Sequence, residues 1–219
     1  MMIKKESDTM DKVEALLNKI DKDIPAIANK AMIEYGLYKK CHKLPINIHS
    51  FTPGEYFEYL LENMDGNYEH AFTRFRIDER KIIQTNPYFD SKTNKIVEFD
   101  FVINVYMITH LLANYGTLRL KEYLYEVCKH EVGHMVDNLI ELDGKDTDVR
   151  REYYDKMGDA YKRFDEWYAE QTPETMTTAK GRMEYFKISY EQRANEYGHV
   201  DTDLMFEILK EFDEFDENL

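Results

Sequence analysis

Apolar positions at the start of the chain recur with the spacing of a helix. Four of them fall at i, i+3, i+4 and i+7 and share one helical face: Val13, Leu16, Leu17 and Ile20. Pro25 fits the first turn of a second helix, because proline lacks the amide hydrogen that a first turn leaves unbonded. The first forty residues therefore predict two helices, and Pro53 predicts the start of a further short helix that ends at Gly66.

In the middle of the chain, apolar residues recur at every second position. Odd positions are apolar and polar residues fall between them, which predicts a strand with one buried face: Val97, Phe99, Phe101, Ile103 and Val105. Residues 80–89 predict a weaker strand, and residues 90–95 have the composition of a turn, so the two strands are expected to form a hairpin. Residues 71–77 are a candidate for an earlier strand.

Helical periodicity returns for the rest of the chain. A helix is predicted over residues 118–142, with Thr117 as its cap and Gly144 in a left-handed position after its end. A long charged helix follows over 148–171 and is stopped by Pro173.

Two shorter helices are predicted near the end of the chain. Ser189 and Gln192 form a capping-box pattern that starts a helix through Tyr197. Asp201 or Thr202 can cap the last helix, whose many acidic residues indicate a solvated face or a fraying tail.

Composition narrows the class of protein. The 219 residues carry a formal net charge of −14, which disfavours nucleic acid or an anionic membrane surface as a partner. Cys41 and Cys128 form no CxxC pair, which argues against a zinc ribbon or a disulfide framework. The chain shows no signal-peptide core and no apolar run of the roughly 18 residues that a membrane span needs, so a cytoplasmic location is expected.

The stretch His130-Glu131-Val132-Gly133-His134 is the main candidate for chemistry. Histidines four apart lie on one helical face, and both can reach one zinc ion at about 2.0–2.1 Å. Glu131 is then close enough to the metal to accept a proton from water without being a ligand. The alternative is two surface histidines that flank a solvated glutamate, which the apolar stripe of this helix disfavours.

This pattern resembles the zincin metallopeptidases. A strand ending at 101–104, a helix with HEVGH and a later helix with a glutamate are similar to the gluzincin branch. The metzincin branch is excluded, because its third ligand and its glycine fall here on Ile140 and Asp137. The resemblance implies a predominantly helical α+β zincin-like fold, with a small antiparallel or mixed sheet, an active-site helix and extra helices at both termini. It also implies that the strand receives an extended substrate by edge pairing.

The resemblance places the third zinc ligand downstream, in the segment 190–198. This segment is similar to the gluzincin pattern found in variants of the CAAX-prenyl-protease and phage-associated ImmA/IrrE types. Glu191 takes the ligand role, Ala194 the close-packing role, and Asn195 the role of orienting a ligating histidine. Glu196, on the same helix, is the competing ligand.

Further residues around the site have open roles. The resemblance calls for a tyrosine or histidine that stabilises an oxyanion, and we take Tyr190 as the catalytic candidate, with Tyr185 and His199 as alternatives. HEVGHMVD is also similar to anthrax-lethal-factor-type peptidases, in which case Asp137 either accepts a histidine N–H or is simply exposed.

The resemblance implies a zinc metallopeptidase that acts on a polypeptide substrate. Zn²⁺ would be held by His130, His134 and Glu191, with Glu131 as the base. Residues 1–70 would form an N-terminal helical region packed on a metallopeptidase domain of residues 71–219. The alternative is a zincin-fold interaction or structural protein of a phage or mobile element with little or no catalysis. A DNA-associated zincin of the SprT kind is disfavoured by the acidic charge.

Overall fold

Helices surround a three-stranded mixed sheet, so the predicted α+β class with predominant helix is confirmed. This computed structural model describes residues 2–37, 44–63, 68, 81–172 and 178–216. In chain order the elements are α1 (Met2–Glu34), β1 (Ile46–Phe51), α2 (Pro53–Asn63), β2 (Ile83–Phe89), β3 (Ile96–Asn104), α3 (Val105–Tyr115), α4 (Thr117–Glu141), α5 (Thr147–Ala169), α6 (Thr178–Tyr185), α7 (Ser189–Gly198) and α8 (Thr202–Asp216). The expected strand at 71–77 and the expected helix ends at Gly66 and Pro173 lie outside the described residues.

The sheet has β3 at its centre. β2 pairs with it antiparallel through the predicted hairpin, and β1 pairs with it parallel on the other side. The sequence analysis did not predict β1. The prediction of one buried face on β3 is wrong, because helix α2 covers the second face and buries Asp100 and Val102 to about the same degree as Phe99. β3 also cannot receive a substrate by edge pairing, since both of its edges are taken.

The end of β3 leads directly into helix α3. The side-chain oxygen of Asn104 accepts a hydrogen bond from the amide of Met107 at 3.2 Å, which caps the first turn of the helix. The chain therefore changes from strand to helix at Val105, and Ile108 and Leu112 continue the apolar pattern at helical spacing into the core. The prediction of a strand through Val105 was one residue too long, and helix α3 was not predicted.

Helix α1 is one continuous helix, and the prediction of two helices divided at Pro25 is wrong. The apolar stripe runs past the proline without a phase shift through Ile20, Ile24 and Ala28, all of which are buried against the rest of the core. A proline inside a helix costs about 3 kcal/mol. Burial of this stripe on both sides of Pro25 compensates for the lost hydrogen bond, and α1 packs along α4.

Helix α4 is the central helix of the molecule. Its second half is buried on every side, from His130 to Leu139, because α1, α7 and β2 all pack against it. The predicted boundaries are close, but Thr117 is the first helical residue rather than the cap, and Gly116 precedes it without a side-chain cap. Gly144 has the predicted left-handed backbone, with φ +72°.

The C-terminal helices differ from the predictions at their caps and faces. The capping box is wrong, since Ser189 is already helical in α7 and Ile188 precedes it without a side-chain cap bond. Asp201 does cap α8, because its carboxylate accepts from the amide of Leu204 at 3.0 Å. α8 is not simply a solvated tail, since one of its faces joins the core: Met205, Ile208, Leu209 and Phe212. Helix α6 was not predicted.

The N-terminal region contributes to the same core as the rest of the chain. α1 packs on α4, and β1 hydrogen-bonds to β3. Elements before residue 70 and elements after residue 70 therefore share one hydrophobic core. The division of the chain into 1–70 and 71–219 stays a prediction.

Candidate metal centre

The site is built where helices α4 and α7 cross in close contact. A Cβ atom on Gly133 would lie 1.8 Å from the backbone oxygen of Ala194, and one on Gly198 would lie 2.0 Å from the backbone oxygen of Lys129. Two glycines, one on each helix, therefore let the two backbones touch. This contact brings the first turn of α7, which carries Glu191, over the face of α4 that carries His130 and His134.

Three ligand-type atoms meet at this crossing. The Nε2 atoms of His130 and His134 lie 3.1 Å apart, and Oε2 of Glu191 lies 2.9 Å from the first and 3.4 Å from the second. All three residues are buried, with exposed fractions of 6%, 6% and 1%. Among the described residues, Oε2 of Glu191 has no hydrogen bond. The nearest polar groups to this buried oxygen are the two imidazole nitrogens, and a cation between the three atoms would offset the desolvation of the carboxylate.

The spacing of these atoms matches the donor set of a metal ion. A tetrahedral ion with bonds of about 2.0–2.1 Å holds two of its ligand atoms about 3.4 Å apart. The three observed distances lie between 2.9 and 3.4 Å. Two imidazoles and one carboxylate thus fit a divalent metal such as zinc by chemistry and by distance.

Glu191 and Glu196, the two competing glutamates, point in different directions. Five residues on a helix separate side chains by about 140°. Glu191 therefore points into the crossing, while Glu196 is exposed. The structure places Glu191 with the two histidines and Glu196 away from them.

Asn195 supports one of the two histidines. Its Oδ1 atom lies 2.8 Å from Nδ1 of His130, and a carbonyl oxygen can only accept, so Nδ1 carries the proton. Nε2 of His130 then presents a lone pair to the crossing. This is the orienting position that the sequence resemblance assigned to Asn195.

His134 is held by packing instead of a hydrogen bond. Its Nδ1 atom is buried and has no hydrogen-bond partner among the described residues. The ring of Tyr190 stacks on the ring of His134, with centroids 4.3 Å apart and planes at 22°. Tyr190 therefore borders the site through its ring face, and its proposed role towards an oxyanion stays a prediction.

Two further tyrosines surround Glu191. The hydroxyl of Tyr161, on α5, donates a hydrogen bond to Oε1 of Glu191. The ring of Tyr185, on α6, stacks on Tyr161 with centroids 5.8 Å apart. Burial, together with the negative charge of Glu191, raises the pKa of Tyr161 and of Tyr185 far above the usual range, so both hydroxyls stay protonated and can act as donors.

Burial and mutual attraction act against each other on the ligand groups. Burial alone would raise the pKa of Glu191, but the two nearby imidazoles outweigh it and hold the pKa well below its usual range. Burial would likewise lower the pKa of His130, but the proximity of Glu191 outweighs it and raises the pKa. In the absence of a metal, the ionised form of Glu191 and the protonated form of His130 therefore favour each other.

Glu131 is a different kind of carboxylate. It is buried to 8% exposure at the start of the same turn, yet no described side chain makes a hydrogen bond or an ion pair with it. Burial raises its pKa above the usual range, and the charges of the two histidines and of Lys81 only partly offset this. A carboxylate that is unpaired and more basic than usual is suited to accept a proton.

Asp137 has neither of the two roles considered from the sequence. It is fully buried and forms an ion pair with Arg193 of α7, with oxygen-to-nitrogen distances of 2.6 and 3.0 Å. The hydroxyl of Tyr153 on α5 donates to the same carboxylate at 2.5 Å. Asp137 thus fastens both α5 and α7 to α4 one turn beyond the histidines.

Sequence reasoning missed Arg193, Tyr153 and Tyr161. Tyr153 and Tyr161 lie eight residues apart on α5, a spacing that puts aromatic rings on a similar face of a helix and could have been noticed. Of the remaining candidates, His199 is exposed and pairs with Glu34 at 2.8 Å, outside the group formed by His130, His134 and Glu191. His199 therefore does not join the cluster.

Comparisons with known proteins give no relative for this chain. No protein-family model, curated protein or solved structure matches it. Among the described residues, no helix combines the length and the apolar character needed to cross a membrane.

Proposed function

We propose that the protein is a zinc-dependent metallopeptidase of the gluzincin type. The observation that carries this proposal is the convergence of three buried ligand atoms, from His130, His134 and Glu191, at separations of 2.9–3.4 Å. Two imidazoles and one carboxylate are the ligand set of catalytic zinc in several metallopeptidases. The motif with Glu131 beside the first histidine supports the same class.

Each residue then has a distinct task in the hydrolysis of a peptide bond. His130, His134 and Glu191 would hold the zinc ion, which supplies Lewis acidity and lowers the pKa of water towards about 7. Glu131 accepts the proton of the attacking water and passes it to the leaving amine. Burial raises the pKa of Glu131 above its usual value, and a more basic carboxylate accepts a proton more readily.

The surrounding residues keep the three ligands in place. Asn195 fixes the tautomer of His130 by accepting from Nδ1 at 2.8 Å. Tyr161 donates to Oε1 of Glu191, which leaves Oε2 directed at the histidines. Tyr190 holds the plane of His134 by stacking at 4.3 Å. An extended substrate would have to add to the outer edge of β1 or β2, since both edges of β3 are paired.

The test compares two substitutions on the same helix. Glu131→Gln removes the base but none of the three ligands, so we expect zinc at about one ion per chain and peptide hydrolysis lowered by about 100-fold or more. Glu141→Gln, at the exposed end of α4, is the matched control and should keep full activity. Zinc content is measured by elemental analysis and hydrolysis by mass spectrometry of digested protein mixtures. Equal hydrolysis by the parent and Glu131→Gln would refute the mechanism.

A zincin-type scaffold without catalysis is the second candidate. The observation in its favour is the low exposure of the three ligand residues, 1–6%, because structural zinc sites are closed whereas catalytic ones keep an open position. A scaffold binds zinc and gains stability from it, but hydrolyses no peptide in any of the assays above. A protein that binds no metal contradicts both candidates.

A further inference from the structure

We propose that Arg182 binds a carboxylate group of the substrate next to the metal centre. This inference rests on the proposed peptidase function and deepens it, because it names the chemistry that the enzyme selects. Arg182 lies on α6, the helix that directly precedes α7 and its Glu191.

Arg182 is positioned beside the site by two aromatic rings. Its Cζ atom lies 5.5 Å from the ring centroid of Tyr185 and 5.7 Å from that of Phe186. The ring of Phe186 in turn stacks on His130, with centroids 5.3 Å apart and planes at 29°. The guanidinium is thus separated from a predicted zinc ligand by a single aromatic ring.

The guanidinium of Arg182 has no polar partner in the part of the chain that the structure describes. Among the described residues, no group forms a hydrogen bond or an ion pair with the guanidinium of Arg182, although the side chain is partly buried. Other arginines of the chain use their donors: Arg193 pairs with Asp137, and Arg119 with three glutamates. A partly buried guanidinium whose five donors have no partner within the described ranges has hydrogen-bonding capacity to offer a ligand.

The guanidinium of Arg182 carries a positive charge. Burial works against the charged form, but nearby acidic groups, Tyr123, Tyr185, Glu191 and Glu131, together outweigh it and raise the pKa above its usual value. The chain as a whole has a net charge of −14, so an anionic group is repelled from most of its surface. A local cation such as Arg182 is therefore the feature that would admit a negatively charged substrate group.

A carboxylate is the group that fits best. It matches the planar fork of a guanidinium with two parallel hydrogen bonds while the ring faces of Tyr185 and Phe186 support the cation. The distances from Arg182 Cζ to the Phe186 ring and from that ring to the His130 ring together limit the separation of Cζ from the His130 ring centroid to about 11 Å. An extended peptide rises by about 3.4 Å per residue. The carboxylate would therefore lie within about three residues of the cleaved bond, on an acidic side chain or at a free C-terminus.

The test measures binding without turnover. Zinc-loaded Glu131→Gln protein is immobilised and offered three pools of short peptides: amidated with acidic side chains, free at the C-terminus without acidic side chains, and amidated without acidic side chains. Retained peptides are quantified by mass spectrometry. We expect one of the two carboxylate-bearing pools to be retained about tenfold or more over the third pool, because a charge-assisted hydrogen bond strengthens binding by about that factor. The retained pool identifies the source of the carboxylate.

Substitutions in the same background assign the effect to one residue. Arg182→Met keeps an apolar stem against the rings and should abolish the preference, whereas Arg182→Lys keeps the charge but not the fork and should retain part of it. Arg151→Met, at an exposed arginine of α5, is the matched control and should leave the preference unchanged. Zinc content and circular dichroism verify the fold of each variant.

The outcomes separate this inference from the peptidase proposal. Equal retention of the three pools, or a preference that survives Arg182→Met, overturns the role of Arg182 while the hydrolysis assay with the parent protein still decides the function. Retention of no pool by folded, zinc-loaded protein overturns peptide recognition as a whole.

Discussion

The backbone of Gly133 touches the backbone of Ala194, and a Cβ atom on the glycine would lie 1.8 Å from the alanine carbonyl oxygen. Gly133 stands between Glu131 and His134, and Ala194 stands three residues after Glu191. The close approach of α4 and α7 therefore sets the distance between the two histidines and the glutamate. The geometry of the candidate metal centre therefore depends on the lack of a side chain at Gly133.

Gly133→Ala should damage the site and the fold together. The new methyl group has to push against backbone atoms, which cannot rotate away, so α7 must move from α4. We expect a loss of about 1–3 kcal/mol in the free energy of unfolding and a clear fall in zinc affinity. Urea denaturation of the metal-free protein and competitive zinc titration measure the two effects.

Gly158→Ala is the matched control for that substitution. It lies within helix α5, and its added Cβ would have no atom within 4 Å. Alanine is the better helix former by about 1 kcal/mol, so this variant should be as stable as the parent or more so. A Gly133→Ala protein with unchanged stability and zinc affinity would show that the helices are not in close contact.

Glu191→Gln and Glu196→Gln should differ sharply in zinc affinity. Glu191 places Oε2 within 2.9 Å of His130 Nε2, whereas Glu196 is exposed on another face of the same helix. We expect Glu191→Gln to lower zinc affinity by more than about 100-fold, because loss of a residue that only orients a ligand already costs about 10–100-fold. Glu196→Gln should leave zinc affinity unchanged. Affinity is measured by competition with a chelator. The reverse order of effects would assign the ligand role to Glu196.

Asn195→Ala should weaken zinc binding without removing a ligand. The alanine leaves Nδ1 of His130 without its acceptor at 2.8 Å, so the imidazole is free to rotate and to change tautomer. A loss of about 10–100-fold in affinity is expected. Asn195→Asp keeps an acceptor oxygen and should bind zinc at least as well as the parent. Equal loss in both variants would argue against an orienting hydrogen bond.

The stability of the metal-free protein should depend on pH through the same cluster. Despite burial, the imidazoles lower the pKa of Glu191, which stabilises the fold above about pH 4.3, and this contribution is lost as the pH falls through the folded value. Despite burial, Glu191 raises the pKa of His130, which stabilises the fold below about pH 6.5, and this contribution is lost as the pH rises through the folded value. The stabilisation from the pair should therefore be largest between these limits.

Urea denaturation in the presence of a chelator, from pH 4 to pH 9, measures this dependence. The readout is the difference between the parent and Glu191→Gln, because this difference cancels the titration of the other groups to first order. We expect it to be largest near pH 5–6 and to shrink on both sides. A difference that stays constant across this range would exclude the coupling of Glu191 with His130.

Arg193→Met should destabilise the protein through Asp137. The substitution removes both hydrogen bonds from a carboxylate that is 0% exposed, and Tyr153 alone remains as a donor. An unpaired buried charge costs about 3–5 kcal/mol, and we expect the lower end because Arg193 is about one-third exposed. The Asp137→Asn variant and the double variant complete a thermodynamic cycle. A coupling free energy near zero would show that the ion pair between Arg193 and Asp137 does not stabilise the fold.

Several features of the molecule could be predicted from local patterns. The helix with HEVGH, the β2–β3 hairpin and the short helix with Glu191 all appear close to their predicted bounds, because periodicity and turn composition act over a few residues. The side of α7 that carries both Glu191 and Asn195 also follows from their spacing of four residues.

Local rules failed where distant packing decided the outcome. Pro25 lies inside a continuous helix because α4 supports the stripe on both sides of it. Both faces of β3 are buried because α2 covers one of them, although the alternation in the sequence indicated a single buried face. Strand β1 is defined by its pairing with β3, which lies some fifty residues away.

The sequence by itself determined which residues can bind a metal and which helix carries them, since side-chain chemistry and helical spacing are local properties. Only the tertiary structure decided that Glu191 rather than Glu196 faces the two histidines, and that Asp137 pairs with Arg193. It also decided that no described residue pairs with the guanidinium of Arg182. These outcomes depend on how α4, α6 and α7 cross, and two glycines with no side chain allow that approach. A contact between distant segments depends on both surfaces at once, and neither segment encodes it alone.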